Sequence, residues 1–219
     1  MSRAQRRRWR GLGAAAVACV VAGAGVIAAQ AEDAVVAPAA VAAAQAPSSS
    51  ASASSWHEQG LRAYEASNWD EAARCWRRAI DADPAFTRSY IGLGMLFMRR
   101  GEYVLAQAEF HTALARNPSE VDALANLGAL AVQRGEYPVA IGYYKRAVGV
   151  EPTDASLWVD LAISYAAASD MPQAKTAALN ALSFDGTSAE AKELLERLER
   201  RMALEAITPP TTSGAAGIR

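Results

Sequence analysis

A chain of 219 residues with 22 basic and 23 acidic side chains carries a formal charge of −1 and has room for one or two domains. Arg3, Arg6, Arg7, Arg8 and Arg10 crowd the first ten residues, so the rest holds 17 basic against 23 acidic groups, a net of −6. That mildly acidic body lacks the basic stripe that phosphate binding requires, which argues against nucleic acid as a partner. Its two cysteines, Cys19 and Cys75, leave no disulfide framework.

Residues 1–31 read as an address. The arginine-rich start precedes Gly11 to Ala31, an uncharged block with Val17, Val20, Val21, Val26 and Ile27, and Ala29-Gln30-Ala31 then stands before Glu32-Asp33. A basic flank, an apolar stretch and a small-x-small site describe a secretory signal peptide cleaved after Ala31. The rival is an uncleaved membrane anchor, because about 20 apolar residues can span a bilayer. Alanine and glycine dominate the block, and that favours cleavage, since large aliphatics contribute most to insertion. Either way the repeats end outside the cytoplasm, periplasmic or secreted, and the membrane is touched only through this segment.

Residues 32–52 turn to Ala, Pro and Ser, with too little large apolar surface to offset ordering entropy, and predict a flexible linker. One pattern with a period of 34 residues then recurs four times, at 53–86, 87–120, 121–154 and 155–188. Its eighth position reads Gly60, Gly94, Gly128 and Ala162, and its twentieth Ala72, Ala106, Ala140 and Ala174. The twenty-seventh is alanine throughout, at Ala79, Ala113, Ala147 and Ala181. Position 24 carries Trp76, Phe110, Tyr144 and then Ala178, and position 32 carries Pro84, Pro118, Pro152 and then Gly186. This resembles the tetratricopeptide repeat, TPR. The resemblance implies an all-α solenoid, a right-handed superhelix of helix hairpins that binds protein or peptide partners.

Within each copy the apolar residues recur at helical spacing, break, and recur again, which is a hairpin of two amphipathic helices. In the third copy the helices are expected at about Val121 to Arg134 and Pro138 to Val150. Gly101 and Gly135 predict left-handed caps on first helices, Asn68 and Asp170 N-caps on second helices, and Pro138 and Pro172 their first turns. Thr187-Ser188-Ala189-Glu190 reads as a capping box opening a helix over 189–206. Its stripe of Ala191, Leu194, Leu195, Leu198 and Met202 would close the array. Residues 207–219 are expected to be disordered.

The sequence holds no catalytic constellation, phosphate loop or metal pair, so the expectation is a protein that is not an enzyme and carries no cofactor or metal. His57 and His111 read as ordinary surface or groove histidines, Cys75 as a buried packing residue, and Trp56, Trp69, Trp76 and Trp158 as core. The informative side lies on the first helices. Positions 4, 7, 8 and 11 must face the paired helix, whereas 2, 5, 9 and 12 cluster on another side. By resemblance that side lines the concave groove, and the expected partner-binding residues are Leu61, Tyr64, Arg88, Ile91, Met95, Met98, Arg99, Asp122, Asn126, Ala129, Val132, Val159 and Ile163. So apolar a groove suits an amphipathic helix or an extended apolar segment. Carboxylate-clamp TPRs carry lysine and asparagine at positions 5 and 9, but His57/Leu61 and Ile91/Met95 stand there in this chain, so a chaperone-tail clamp is not expected. Two functions remain open: an exported adaptor in bacterial envelope assembly or maturation, and a self-association module of undetermined oligomeric state.

Overall fold

The structure is a computed structural model and describes residues 52–207. The expectations for residues 1–51 and 208–219 lie outside it. Among the described residues there are nine helices and no strand: α1 (Ala53–Glu65), α2 (Trp69–Ala82), α3 (Thr87–Arg99), α4 (Tyr103–Arg116), α5 (Val121–Gln133), α6 (Tyr137–Val150), α7 (Ala155–Ala167), α8 (Met171–Phe184) and α9 (Ala189–Ile207). Each copy is a hairpin whose turn is set chemically. Position 15 takes a left-handed backbone in all four, at Ser67 (φ 59°), Gly101 (74°), Gly135 (74°) and Ser169 (65°). The next residue then donates back to the carbonyl five residues earlier, as Glu102 N does to Phe97 O at 2.9 Å and Asp170 N to Tyr165 O at 2.9 Å. These closures satisfy carbonyls that the helix end would orphan. Second helices start where the sequence marks them, with Asn68 and Asp170 accepting from Glu71 N and Gln173 N, and with Pro138 and Pro172 in the first turn.

The fold is all-α, and its described residues form two compact units, 52–116 and 117–207. In the first, α1 pairs with α2 and α3 with α4, and α3 also packs on both α1 and α2. Trp76, fully buried, lies against two glycines. A Cβ added to Gly60 would stand 2.5 Å from its Nε1, and one added to Gly92 2.5 Å from its Cε2. Alanines 72, 79, 106 and 113 are wholly buried in the same seams.

The 117–207 unit stacks α5/α6 on α7/α8 and closes with α9, which packs on α8 and α7. Gly128 faces Tyr144 as Gly60 faces Trp76, with an added Cβ 2.8 Å from the ring. In the fourth copy Ala162 and Ala178 are both wholly buried. Ala191, Leu194 and Leu198 of α9 are buried, and Lys175 on α8 reaches Glu199 on α9 at 2.8 Å. The N-cap of α9 is Ser188 rather than Thr187. Ser188 Oγ accepts from Ala191 N at 3.2 Å, while the Thr187 hydroxyl is drawn to Asp185 Oδ1 at 2.7 Å.

The proline carbonyls between copies recruit side chains. Tyr90 Oη and Arg116 Nε donate to Pro84 O at 3.2 and 2.6 Å, Arg146 Nη2 to Pro118 O at 3.2 Å, and Trp158 Nε1 to Pro152 O at 2.7 Å. Of the four tryptophans expected in the core, only Trp76 is buried there. Trp56 and Trp69 lie half-buried beneath the guanidinium groups of Arg78 and Arg99, 4.8 and 5.5 Å from the ring centres. Trp158 is half-buried because its indole reaches outward to the proline carbonyl.

Candidate functional site: the first-helix faces

In the 52–116 unit, α3 buries residues 89–94 and Leu96 and leaves Thr87, Arg88, Met95, Phe97, Met98 and Arg99 at least partly open. Arg88, Met95 and Arg99 fall at i, i+7 and i+11, within about 40° of one another on a helix of 3.6 residues per turn, with Met98 alongside. Two exposed arginines therefore bracket a pair of half-buried methionines. On α1 the matching residue, Leu61, is also half-buried. Tyr64 and Ile91, expected in the same stripe, are only 5% and 6% exposed and underlie it rather than offering themselves. Tyr64 sits edge-on to Trp69 with ring centres 5.0 Å apart, and burial raises its hydroxyl above the usual tyrosine range. Arg99 lies over Trp69, so the Tyr64, Trp69 and Arg99 side chains form one layer at the end of the face.

His57, expected as an ordinary surface or groove histidine, is buried instead. It is 5% exposed, its Nδ1 lies 3.3 Å from Ser89 Oγ, and the Phe86 ring meets it edge-on at 5.4 Å. Burial, helped by the positive charge of Arg88, lowers its pKa to about 4, so the ring is neutral at neutral pH. Its Nε2 and Trp76 Nε1 are buried without a hydrogen-bond partner among the described residues. Cys75 is buried as expected. Burial, then its hydrogen bond to Glu71 Oε1 at 3.4 Å, raises its thiol to about 11.

In the 117–207 unit the face belongs to α5 and α7. Asp122, Ala129 and Val132 on α5 and Ile163 on α7 are half-buried, whereas Asn126 and Val159 are buried. Asn126 donates to the Asp122 carbonyl at 2.7 Å, so one of its amide donors is used within its own helix. Among the described residues no group of three or more His, Cys, Asp or Glu side chains could hold a metal ion, and no helix is long and apolar enough to cross a membrane.

The sequence model of the tetratricopeptide repeat family matches residues 57–106, 91–156 and 129–189. No curated protein matches the chain. Among solved structures it is similar to PilF of Pseudomonas aeruginosa, at 19% identity over 70% of each chain with a TM-score of 0.65. MamA of Desulfovibrio magneticus RS-1, from residue 41 to its end, is 18% identical over 71% of this chain and 88% of its own, with a TM-score of 0.61. YrrB, a TPR protein with an unusual peptide-binding site, is 18% identical over 69% of this chain and 78% of its own, with a TM-score of 0.57. At these identities the likeness is one of fold.

Proposed function

Because the chain belongs to the tetratricopeptide repeat family, whose hairpin arrays are protein-interaction scaffolds, we propose that it is an exported, non-enzymatic adaptor that holds an apolar or amphipathic polypeptide segment on its first-helix faces. The observation that carries this reading is the stripe on α3, where Met95 and Met98 stay half-open between Arg88 and Arg99 while the rest of that side is buried. Unbranched thioethers adapt to partner side chains of differing shape. Covering about 400 Å² of apolar surface contributes on the order of 10 kcal/mol. Association costs of roughly 4 to 15 kcal/mol offset much of that, which leaves a micromolar, transient complex. YrrB provides a parallel within the same fold class, since it carries a peptide-binding site.

Export rests on the basic start, the apolar block and Ala29-Gln30-Ala31. It puts the repeats in the extracytoplasmic space, at work in envelope assembly or maturation. The mature chain then begins at Glu32; recovery of an intact Met1 end from membranes would make the segment an anchor instead.

The test of binding is site-specific photocrosslinking. Benzoylphenylalanine at Met98 is expected to trap a protein partner, and the same group at Val104, 75% exposed on α4, is not. Crosslinks at Val104 alone would put the binding surface on the second helices. Light scattering that finds a stable oligomer, with Met98 crosslinked only to another copy, would replace the adaptor by self-association.

A further inference from the structure

The chain has five methionines, and four of them lie among the described residues. Met171 is 4% exposed, and Met202 is half-buried on α9. The other two, Met95 and Met98, stand at i and i+3 on the open side of α3, about 60° apart around the helix. Both are half-buried, so each reaches solvent from within the face that the preceding reading gives to a partner. Leu61 holds the matching position on α1, whereas the 117–207 face is built of Ala129, Val132, Ile163 and Ala166 and holds no sulfur. Cys75, the thiol that would ordinarily compete for an oxidant, is 2% exposed and donates to Glu71 Oε1. Burial holds its pKa at about 11, so it supplies almost no thiolate. The reactive sulfur of the 52–116 unit is therefore gathered on one side of one helix.

Resting on the reading of the first-helix faces as the binding surface, we propose that Met95 and Met98 form a modification site, at which two-electron oxidation by a peroxide switches docking on the α3 face off. At each thioether an S–O bond forms as the peroxide O–O bond breaks, and the sulfur gives up two electrons. The departing hydroxide takes the proton of the transferred hydroxyl and leaves as water, and the side chain becomes a sulfoxide. A flexible apolar group is thereby turned into a polar one at the place where an apolar segment has to lie. Docking would then bury a sulfoxide oxygen that the partner's apolar side chains cannot hydrogen-bond, and that is costly. The exposed Arg88 and Arg99 on the same side supply N–H donors to such an oxygen, which favours keeping it at the surface. The step is reversible, since sulfoxide reductases return the thioether, one enzyme for each sulfoxide epimer.

The test uses the full chain carrying Cys19→Ser, with benzoylphenylalanine at Leu61 to trap a fluorescent amphipathic peptide that bears one leucine stripe over about 14 residues, roughly four turns. In dilute hydrogen peroxide the tryptic peptide Ser89–Arg99, which holds both methionines, is expected to gain oxygen about tenfold faster than Ala147–Lys175, which holds Met171. Trapping at Leu61 should then fall about tenfold, while the same group at Ile163 traps as before. Sulfoxide reductases of both epimer specificities should restore it. In Met95→Leu with Met98→Leu, a volume-conserving exchange, trapping should stay within about twofold before and after peroxide. Undiminished trapping by the doubly oxidised chain overturns the proposal, as does a loss that persists in the double variant or that occurs equally at Ile163. Oxidation of Ala147–Lys175 as fast as Ser89–Arg99 also overturns it, because the peroxide would then be acting on an opened chain. Failure to trap at Leu61 before any peroxide is added strikes the reading beneath: the α1/α3 face is then not the binding surface, and the switch falls with it.

Discussion

Gly94 on α3 and Phe110 on α4 are matched in shape: a Cβ added to the glycine would stand 2.5 Å from Cε1 of the fully buried ring. The phenylalanine has no room to retreat, because Ala106 and Ala113 beside it on α4 are themselves wholly buried. Gly94→Ala is therefore expected to destabilise the protein by about 1 to 2 kcal/mol, overpacking outweighing the roughly 1 kcal/mol that alanine gains in a helix. Phe110→Leu in the same chain should recover part of that loss. Urea denaturation of both single variants and the double variant gives the coupling, expected at about 1 kcal/mol in the direction of rescue. Strict additivity would mean that the pair is not matched.

His57 makes stability depend on pH. Its folded value of about 4 lies below the ordinary 6.5, so between those limits the unfolded chain holds more protons. The contribution is complete above about pH 6.5, shrinks as pH falls, and is gone by about pH 4, to a total of about 3 kcal/mol. Other groups add their own dependence on pH, so the reading is the difference between wild type and His57→Gln. Urea midpoints of the two should converge on acidification. Parallel curves would show that the ring is not desolvated.

Cys75 is expected to be inert. A thiol held at about 11 and buried presents almost no thiolate at pH 8. In a Cys19→Ser variant, which leaves Cys75 as the sole thiol, Ellman's reagent should label it only at the rate of unfolding, and rapid labelling of the folded chain would contradict its burial.

Ser67 and Ser169 hold the left-handed backbone that Gly101 and Gly135 hold in the middle copies. A residue with a Cβ is strained there and glycine is not. Ser67→Gly and Ser169→Gly should each stabilise by about 0.5 to 1 kcal/mol, the glycine's extra chain entropy taking back part of the relief. A calorimetric Tm lower than wild type in either variant counts against this.

The hairpins, their caps and the small-residue seams were legible because each follows from local stereochemistry at a fixed register. Gly101, Gly135, Asn68, Asp170, Pro138 and Pro172 announce helix ends whatever surrounds them. The burial of His57 was not legible. Its position belongs to the predicted groove, and what covers it, Phe86 and Ser89, lies about 30 residues away along the chain. Trp56, Trp69 and Trp158 misled in the same way, since their half-burial depends on arginines and a carbonyl that no helical spacing selects. The capping box placed the cap of the last helix at Thr187, but Asp185 takes the threonine hydroxyl and Ser188 caps the helix instead. On the candidate face, the apolar stripe and its charges could be read directly, but the sinking of Tyr64, Ile91, Asn126 and Val159 below it required the neighbouring helices.

The fourth hairpin lacks the ring that fills the other three, with Ala178 opposite Ala162, and its open side is covered by Ala191, Leu194 and Leu198 of α9. Its cohesion is therefore borrowed from a helix that follows it in the chain. As the chain leaves the ribosome, the first three hairpins emerge with their aromatic filling already in hand, whereas the fourth must wait for Ala189–Ile207. The last step of folding is thus written into the order of the chain: until its final helix arrives, the fourth hairpin has a soft side.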